Sequence, residues 1–234
     1  MRFEKKAHRL PGAKVARTCV AVGCSNCGRK AWRKPGLSLL QTICRSKHAM
    51  QLGMDVKVAA AYKSKAQRIR VMSEAWASEN LHCPCCPSNT IEQCRNNREA
   101  VDYTCNSCDS SFQLKSSRTD YGSRIVDGAF TAMMRAVAHG AAPNLLLLHY
   151  DSRRWEVRDL TLIPHFALTS SCIEKRTALG PSARRAGWVG CNILLCNIPP
   201  DVRIPWVEDS VAASPLEVRT KFRSVSSLAN VTPA

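Results

Sequence analysis

The residues best suited to chemistry gather between positions 83 and 115 of the chain. Cys83-Pro84-Cys85-Cys86 and Cys105-Asn106-Ser107-Cys108 form two CxxC pairs with 18 residues between them. A CxxC pair on a tight turn presents two thiolates to one point, and two such pairs fill the tetrahedral shell that Zn²⁺ takes at structural sites. Cys83, Cys86, Cys105 and Cys108 are therefore the expected zinc ligands. Cys85 could replace one member of the first pair, although CxxC fits the knuckle geometry better. A shell closed by four thiolates has no position for water, so this metal would hold structure and do no chemistry.

A second constellation brackets the second knuckle. Asp102 precedes it, and Gln113-Leu114-Lys115 follows it. If the flanking segments form a hairpin around the zinc turn, Asp102 and Gln113 meet at one strand edge. Alternation then puts Gln113 and Lys115 on one face and turns Leu114 into the core. Phosphodiester hydrolysis uses such a set: oxygen ligands for Mg²⁺, and an amine that steadies charge developing on phosphorus. Exposed strand residues produce the same pattern by chance, so the spacing alone carries little. Glu74, on the preceding helix, is either a further acid of this site or a solvated surface carboxylate.

The elements that must position these groups are legible in outline. Ser64 and Gln67 have capping-box spacing, and Ile69, Met72, Ala75 and Trp76 recur at helical spacing, which predicts a helix ending near Asn80. Strands are expected at 100–104, 112–116, 144–150 and 155–163, with a helix over 125–138 that turns Ile125, Ala129, Met133 and Ala136 inward. After Pro164, further extended segments are expected at 166–173, 189–195 and 202–207. Ser214-Pro215 with Glu217 combines an N-cap, a proline at the first helical position and a capping-box acid, so a last helix starts there. The polar tail after Ser224 is expected to fray.

The 234 residues suffice for one substantial domain with appendages. The formal net charge of +16 suggests a polyanionic partner, yet residues 1–49 hold 12 Lys/Arg against one acid, Glu4. The rest of the chain is only mildly basic. No apolar run is long enough to span a membrane, and no secretory signal is evident, so a cytoplasmic protein is expected. With 13 cysteines and that compartment, the CxxC pairs read as metal ligands and not as disulfides. Cys24-Cys27 has no second pair nearby and is expected to bind no metal. Cys94, Cys172, Cys191 and Cys196 read as ordinary thiols.

Three segments follow from this: a basic N-terminal extension over 1–55, a domain over 56–225 carrying both constellations, and a frayed tail over 226–234. The extension mixes basic residues with Pro11-Gly12 and Pro35-Gly36 and shows no sustained period. It reads either as a disordered arm that hugs nucleic acid or, preferably, as sequence upstream of a true start at Met50 or Met54. Little fixed structure is expected there on either reading.

A longer pattern now stands out. Tyr62-Lys63-Ser64, Gln67 and Arg70-Val71-Met72-Ser73-Glu74-Ala75-Trp76 lead into the first knuckle. Asn96-Asn97-Arg98, Asp102, the second knuckle and Phe112-Gln113-Leu114-Lys115-Ser116 follow, then Asp127-Gly128-Ala129-Phe130-Thr131-Ala132-Met133-Met134 and Ala183-Arg184-Arg185-Ala186-Gly187-Trp188-Val189-Gly190-Cys191-Asn192-Ile193. Over residues 55–225 this order and spacing resembles the Dam-replacing protein family, the DpnI-like, methyl-directed type II restriction endonucleases.

The resemblance implies an α/β fold of the PD-(D/E)xK type, a mixed sheet flanked by helices, with the zinc-ribbon knuckle inserted. It implies Mg²⁺-dependent cleavage of double-stranded DNA at GATC sites bearing methylated adenine. The metal-binding acid then falls on Asp102 and the catalytic lysine on Lys115. The second acidic position falls on Gln113, where the family has Glu. A Gln carbonyl still ligates metal but brings no charge, so metal affinity should fall. The chain stops about where a linker to the family's winged-helix domain would begin, so that domain is expected to be absent.

Arg184, Arg185 and Trp188 are candidate DNA contacts, two guanidiniums and a ring around a flexible glycine. Their plain alternative is a core tryptophan and a fold-internal ion pair. Arg98 is a further candidate, whereas Arg153-Arg154 and Lys175-Arg176 read as solvated turns. Two other readings of the whole chain stand beside the endonuclease: a non-catalytic zinc-ribbon DNA-binding protein, and an inactivated endonuclease remnant.

Overall fold

A computed structural model describes residues 20–23, 30–33, 50–94 and 100–229. The chain divides into two units, Met1–Ala49 and Met50–Ala234. The first contains an antiparallel pair, β1 (Val20–Gly23) with β2 (Lys30–Arg33), inside the stretch expected to hold little fixed structure. Cys24 and Cys27 lie outside the described residues.

The second unit opens with a short 3₁₀ turn, Val56–Ala59, and then α1 (Lys65–Asn80). Ser64 is the N-cap with extended backbone, but its side chain makes no capping bond, so the expected box with Gln67 does not form. Burial fixes this helix instead. Met72, Ser73, Trp76 and Ala77 face the core, Ile69 and Ala75 are half-buried, and the Trp76 indole N–H donates to the Gln51 carbonyl at 2.6 Å.

The central layer is a seven-stranded mixed sheet in the order β12-β11-β8-β7-β5-β4-β3. Its strands are β3 (Glu92–Gln93), β4 (Tyr103–Thr104), β5 (Ser111–Ser117), β7 (Asn144–Asp151), β8 (Glu156–Ile163), β11 (Ile204–Glu208) and β12 (Val211–Ala212). All neighbours pair antiparallel except β5 and β7, which run parallel. A parallel pair needs a crossover, and it is made by β6 (Arg124–Ala129) and α2 (Phe130–Ala138). β7 reads Asn-Leu-Leu-Leu-Leu because both of its faces are covered.

The two faces bury different partners. Leu146, Leu148, Leu160, Leu162 and Trp206 pack with Met72 and Trp76 of α1, and with Val218, Phe222 and Val225 of the last helix, α3 (Pro215–Ala229). Leu145, Leu147 and Ile163 pack on the other side with Ile125, Met133, Cys191 and Ile193. That second layer is α2 with a small sheet, β6-β10-β9, completed by β9 (Ile173–Lys175) and β10 (Gly190–Leu194). A mixed sheet flanked by helices is thus observed. Among the described residues, no helix is long and apolar enough to cross a membrane.

Three local expectations need correction. The helix expected over 125–138 starts only at Phe130, and 124–129 is strand. Ile125 and Asp127 are buried while Val126 and Gly128 are exposed, a period of two that the four-residue spacing of Ile125, Ala129 and Met133 concealed. The segment 166–173 is not extended: it folds into 3₁₀ turns at His165–Ala167 and Ser170–Cys172, and only Ile173–Lys175 is strand. The last helix runs past Ser224 to Ala229, held by buried Val225. Its capping box is formed, with Glu217 Oε2 accepting from the Ser214 N–H at 2.7 Å and Ser214 Oγ from the Glu217 N–H at 3.2 Å.

Candidate active site and metal cluster

The two CxxC turns converge. Cys83 Sγ lies 3.6 Å from Cys108 Sγ, and Cys86 Sγ lies 3.5 Å from Cys105 Sγ. All four sulfurs fall within 4.8 Å of one another, and Cys85 is outside the group. A tetrahedron with Zn–S bonds of about 2.3 Å has S···S edges of about 3.8 Å, so the cluster has the size and donor set for a metal ion such as zinc.

Each turn is closed by its own backbone. The Cys83 N–H donates to the Ser88 carbonyl at 3.1 Å, and the Cys105 N–H to the Ser110 carbonyl at 2.9 Å. Asp109 takes a left-handed conformation, φ 56°, which Asp tolerates better than most residues. A distant residue braces the first turn. Arg219 of α3 donates through Nε to the Cys83 carbonyl at 3.0 Å and through Nη2 to the Ser88 carbonyl at 2.6 Å. Nothing in the sequence pointed to that clamp.

Asp102 lies just ahead of β4, not on a strand, yet it is tied to β5. Its N–H donates to the Phe112 carbonyl at 2.8 Å, and its Oδ2 accepts the Leu114 N–H at 2.7 Å. Burial pushes the Asp102 carboxyl above its ordinary range. The Leu114 N–H counters this and Glu74 adds to it, with Lys115 and Arg70 drawing the value back down.

Along β5 the alternation holds. Phe112 and Leu114 turn to the α1 side, while Gln113 and Lys115 turn to the small sheet. There both meet a residue that sequence reasoning passed over, Asp127 of β6. Gln113 Nε2 donates to Asp127 Oδ1 at 3.0 Å, and Lys115 Nζ donates to the same oxygen at 2.5 Å. The Asp127 side chain is 1% exposed and that of Lys115 22%. Gln113 Oε1 and Asp127 Oδ2 are buried and have no hydrogen-bond partner among the described residues. Asp127 was within reach of the sequence, as the one acid at a buried position of an alternating segment, but reading 125–138 as helix hid it.

Glu74 is neither a bare surface carboxylate nor a free ligand. Its side chain is 15% exposed, with Oε1 held by Arg70 Nε at 2.6 Å and Oε2 by Gln93 Nε2 at 3.0 Å. It reaches Asp102 only through space, as one of the charges that raise its carboxyl. A second group, Asp120, His149 and Asp159, places two carboxylate oxygens at 3.0 and 2.9 Å from His149 Nδ1, with Asp120 almost fully exposed.

The loop between β9 and β10 carries the expected DNA contacts. Its base adjoins the site, because Cys191 of β10 pairs with Asp127 and the Phe130 N–H donates to the Val189 carbonyl at 3.1 Å. Trp188 lies so close over Gly190 that a Cβ there would sit 2.8 Å from the ring. The Arg185 guanidinium also lies over the ring, 4.5 Å from its centroid. Arg184 and Arg185 are exposed and Trp188 is half-buried, in contact with Gly190 and Arg185, and among the described residues no ion pair holds either arginine. Gly187 at φ 78° makes the turn into the ring. Arg98 lies outside the described residues. Among the remaining thiols, Cys172 and Cys191 are buried, Cys94 is half-buried and Cys196 is exposed.

One comparison bears on these features together. The model of the Dam-replacing (DpnI) family matches residues 50–231, spanning both the thiol cluster and the Asp102–Lys115–Asp127 group. The match covers most of the chain, and the protein belongs to the Dam-replacing DpnI family.

Proposed function

We propose that the protein is a Mg²⁺-dependent endonuclease of double-stranded DNA, directed to GATC sites that carry methylated adenine. The family membership supports a restriction endonuclease, and the shared face of Gln113 and Lys115 on β5 supports the division of labour. Asp102 and Gln113 would hold the metal, and Lys115 is the catalytic amine. Zn²⁺ in the four-thiol cluster would pin the turn between Asp102 and Gln113.

The carrying observation is Gln113 Oε1, a buried oxygen with no partner beside the Lys115 amine. A buried amide oxygen without a donor is costly, and hard cations take such oxygens as ligands. A bound Mg²⁺ supplies Lewis acidity at the scissile phosphate and lowers the pKa of water.

The chain's own groups do the rest. Asp102 is fixed by the Leu114 N–H, so its free oxygen is presented without rearrangement. The Lys115 ammonium faces charge that develops on the phosphoryl oxygens as water oxygen bonds phosphorus and one P–O ester bond breaks. Arg184 and Arg185, on the loop that leads into the strand beside Asp127, would take phosphates or guanine edges, with Trp188 against Arg185.

The test is relaxation of a supercoiled plasmid carrying methylated GATC sites, across a Mg²⁺ titration, by wild type and Lys115→Met. Wild type should nick and linearise it, and the variant should lose about 10²- to 10³-fold in rate. A folded, zinc-loaded wild type that leaves the plasmid supercoiled at every Mg²⁺ concentration would contradict the assignment.

A further inference from the structure

We infer that Asp127 is a ligand of the catalytic cation and supplies the negative charge that Gln113 does not. This rests on the metal-site reading above and deepens it. With Gln113 in place of an acid, Asp102 alone would offer a divalent ion one carboxylate. Asp127 restores the second, from a different strand and a different sheet.

The geometry carries the inference. A carboxylate 1% exposed to solvent normally has its lone pairs filled by donors. Asp127 concentrates both donors on Oδ1, the Gln113 amide at 3.0 Å and the Lys115 amine at 2.5 Å, and leaves Oδ2 bare. The Gln113 amide is oriented by the same contact: its N–H₂ must face the carboxylate, which leaves its oxygen as the unpaired end. Two side chains, each with one unsatisfied oxygen, one anionic and one neutral, are thus joined by the Nε2–Oδ1 hydrogen bond in a buried site. Hard cations such as Mg²⁺ and Mn²⁺ take that donor set. Lys115 serves as the counter-ion of Asp127 through Oδ1, and Oδ2 would be the oxygen that holds a cation.

The neighbours agree with an acid at this place. Cys191, paired opposite Asp127 on β10, is buried and its Sγ bonds the Gly128 carbonyl, not the Asp127 carboxylate. No acid of β9 or β10 bonds Asp127. Glu174, one register position along and two strands away on β9, is occupied by the Asn192 amide at 2.6 Å and by Arg124.

The experiment is Mn²⁺ binding to the zinc-loaded full chain, read by the electron paramagnetic resonance of free Mn²⁺. It is run on wild type, Asp127→Asn and the exchange variant Gln113→Glu/Asp127→Asn. Asp127→Asn should weaken binding about 10- to 100-fold, with zinc content and circular dichroism unchanged. The exchange variant keeps two carboxylates and should bind like wild type. It also leaves Lys115 an acid partner, so it carries the test if the single variant does not fold.

If Asp127 merely neutralises Lys115, the exchange variant gains a ligand charge and binds more tightly than wild type. That result overturns the inference while leaving the metal-site reading in place, and so does wild-type binding by Asp127→Asn. A wild type that binds no Mn²⁺ with its zinc cluster full overturns both.

Discussion

The four thiols of the zinc-type cluster come from two turns, each pair three residues apart and each turn closed by its own backbone. Asp102, Gln113, Lys115 and Asp127 are assembled differently. They come from a loop end, one strand of the large sheet and one strand of the small sheet: Asp102 is tied to β5 through the Leu114 N–H, and Asp127 meets Gln113 and Lys115 across the packing of the two sheets. The first cluster is a local device. The second exists only once β5 has paired with β7 and the small sheet has packed on that face. Both hang on the same segment, since the second knuckle is the link between Asp102 and Gln113. A metal held by the local cluster therefore fixes the strand ends on which the long-range cluster depends.

That contrast sets an order of expected effects. The largest follows loss of zinc. Cys105→Ser, or chelation, should lower the melting temperature by on the order of 10 °C or more and abolish metal-dependent cleavage along with it. Retained cleavage by a zinc-free protein would separate the two clusters and break the comparison.

Next comes Lys115→Met, which leaves the Asp127 carboxylate buried without its cation. The expected cost is about 3 kcal/mol in denaturant unfolding, most of it recovered in Lys115→Met/Asp127→Asn. Additive losses in the double variant would show that the pair is not coupled.

Arg219→Ala tests whether the local cluster is as self-contained as its spacing suggests. Losing the bonds to the Cys83 and Ser88 carbonyls should cost about 1–3 kcal/mol and speed the release of zinc to a chelator. An unchanged release rate would make the knuckle independent of α3.

The smallest effect belongs to Arg184→Ala, away from both clusters. It should weaken DNA binding modestly and reduce the salt slope by about 1. An unchanged slope would remove Arg184 from the interface.

The same contrast explains what was legible in the sequence. The convergence of the four thiols could be read directly, because cysteines three residues apart report their own turn. Gln113 and Lys115 were legible as neighbours on one strand face. Asp127 was not, because it joins them only across the packing of two sheets, and its segment satisfies a four-residue spacing as well as alternation. The fold followed the same rule. Strands β7 and β8, buried on both faces or cleanly bounded by turns, were read nearly residue for residue. The 3₁₀ turns at 165–172 were missed, since their apolar residues pack without any repeat. Arg219 reaches the knuckle from 136 residues away, and no local pattern encodes that.

The most direct test of the central claim uses one plasmid, prepared with and without adenine methylation at its GATC sites, in Mg²⁺, with wild type and Asp102→Ala. The account predicts cutting of the methylated plasmid by wild type, none of the unmethylated one, and none of either by Asp102→Ala with its zinc cluster intact. Equal cutting of both plasmids would contradict the methyl-directed reading, and undiminished cutting by Asp102→Ala would contradict the site itself.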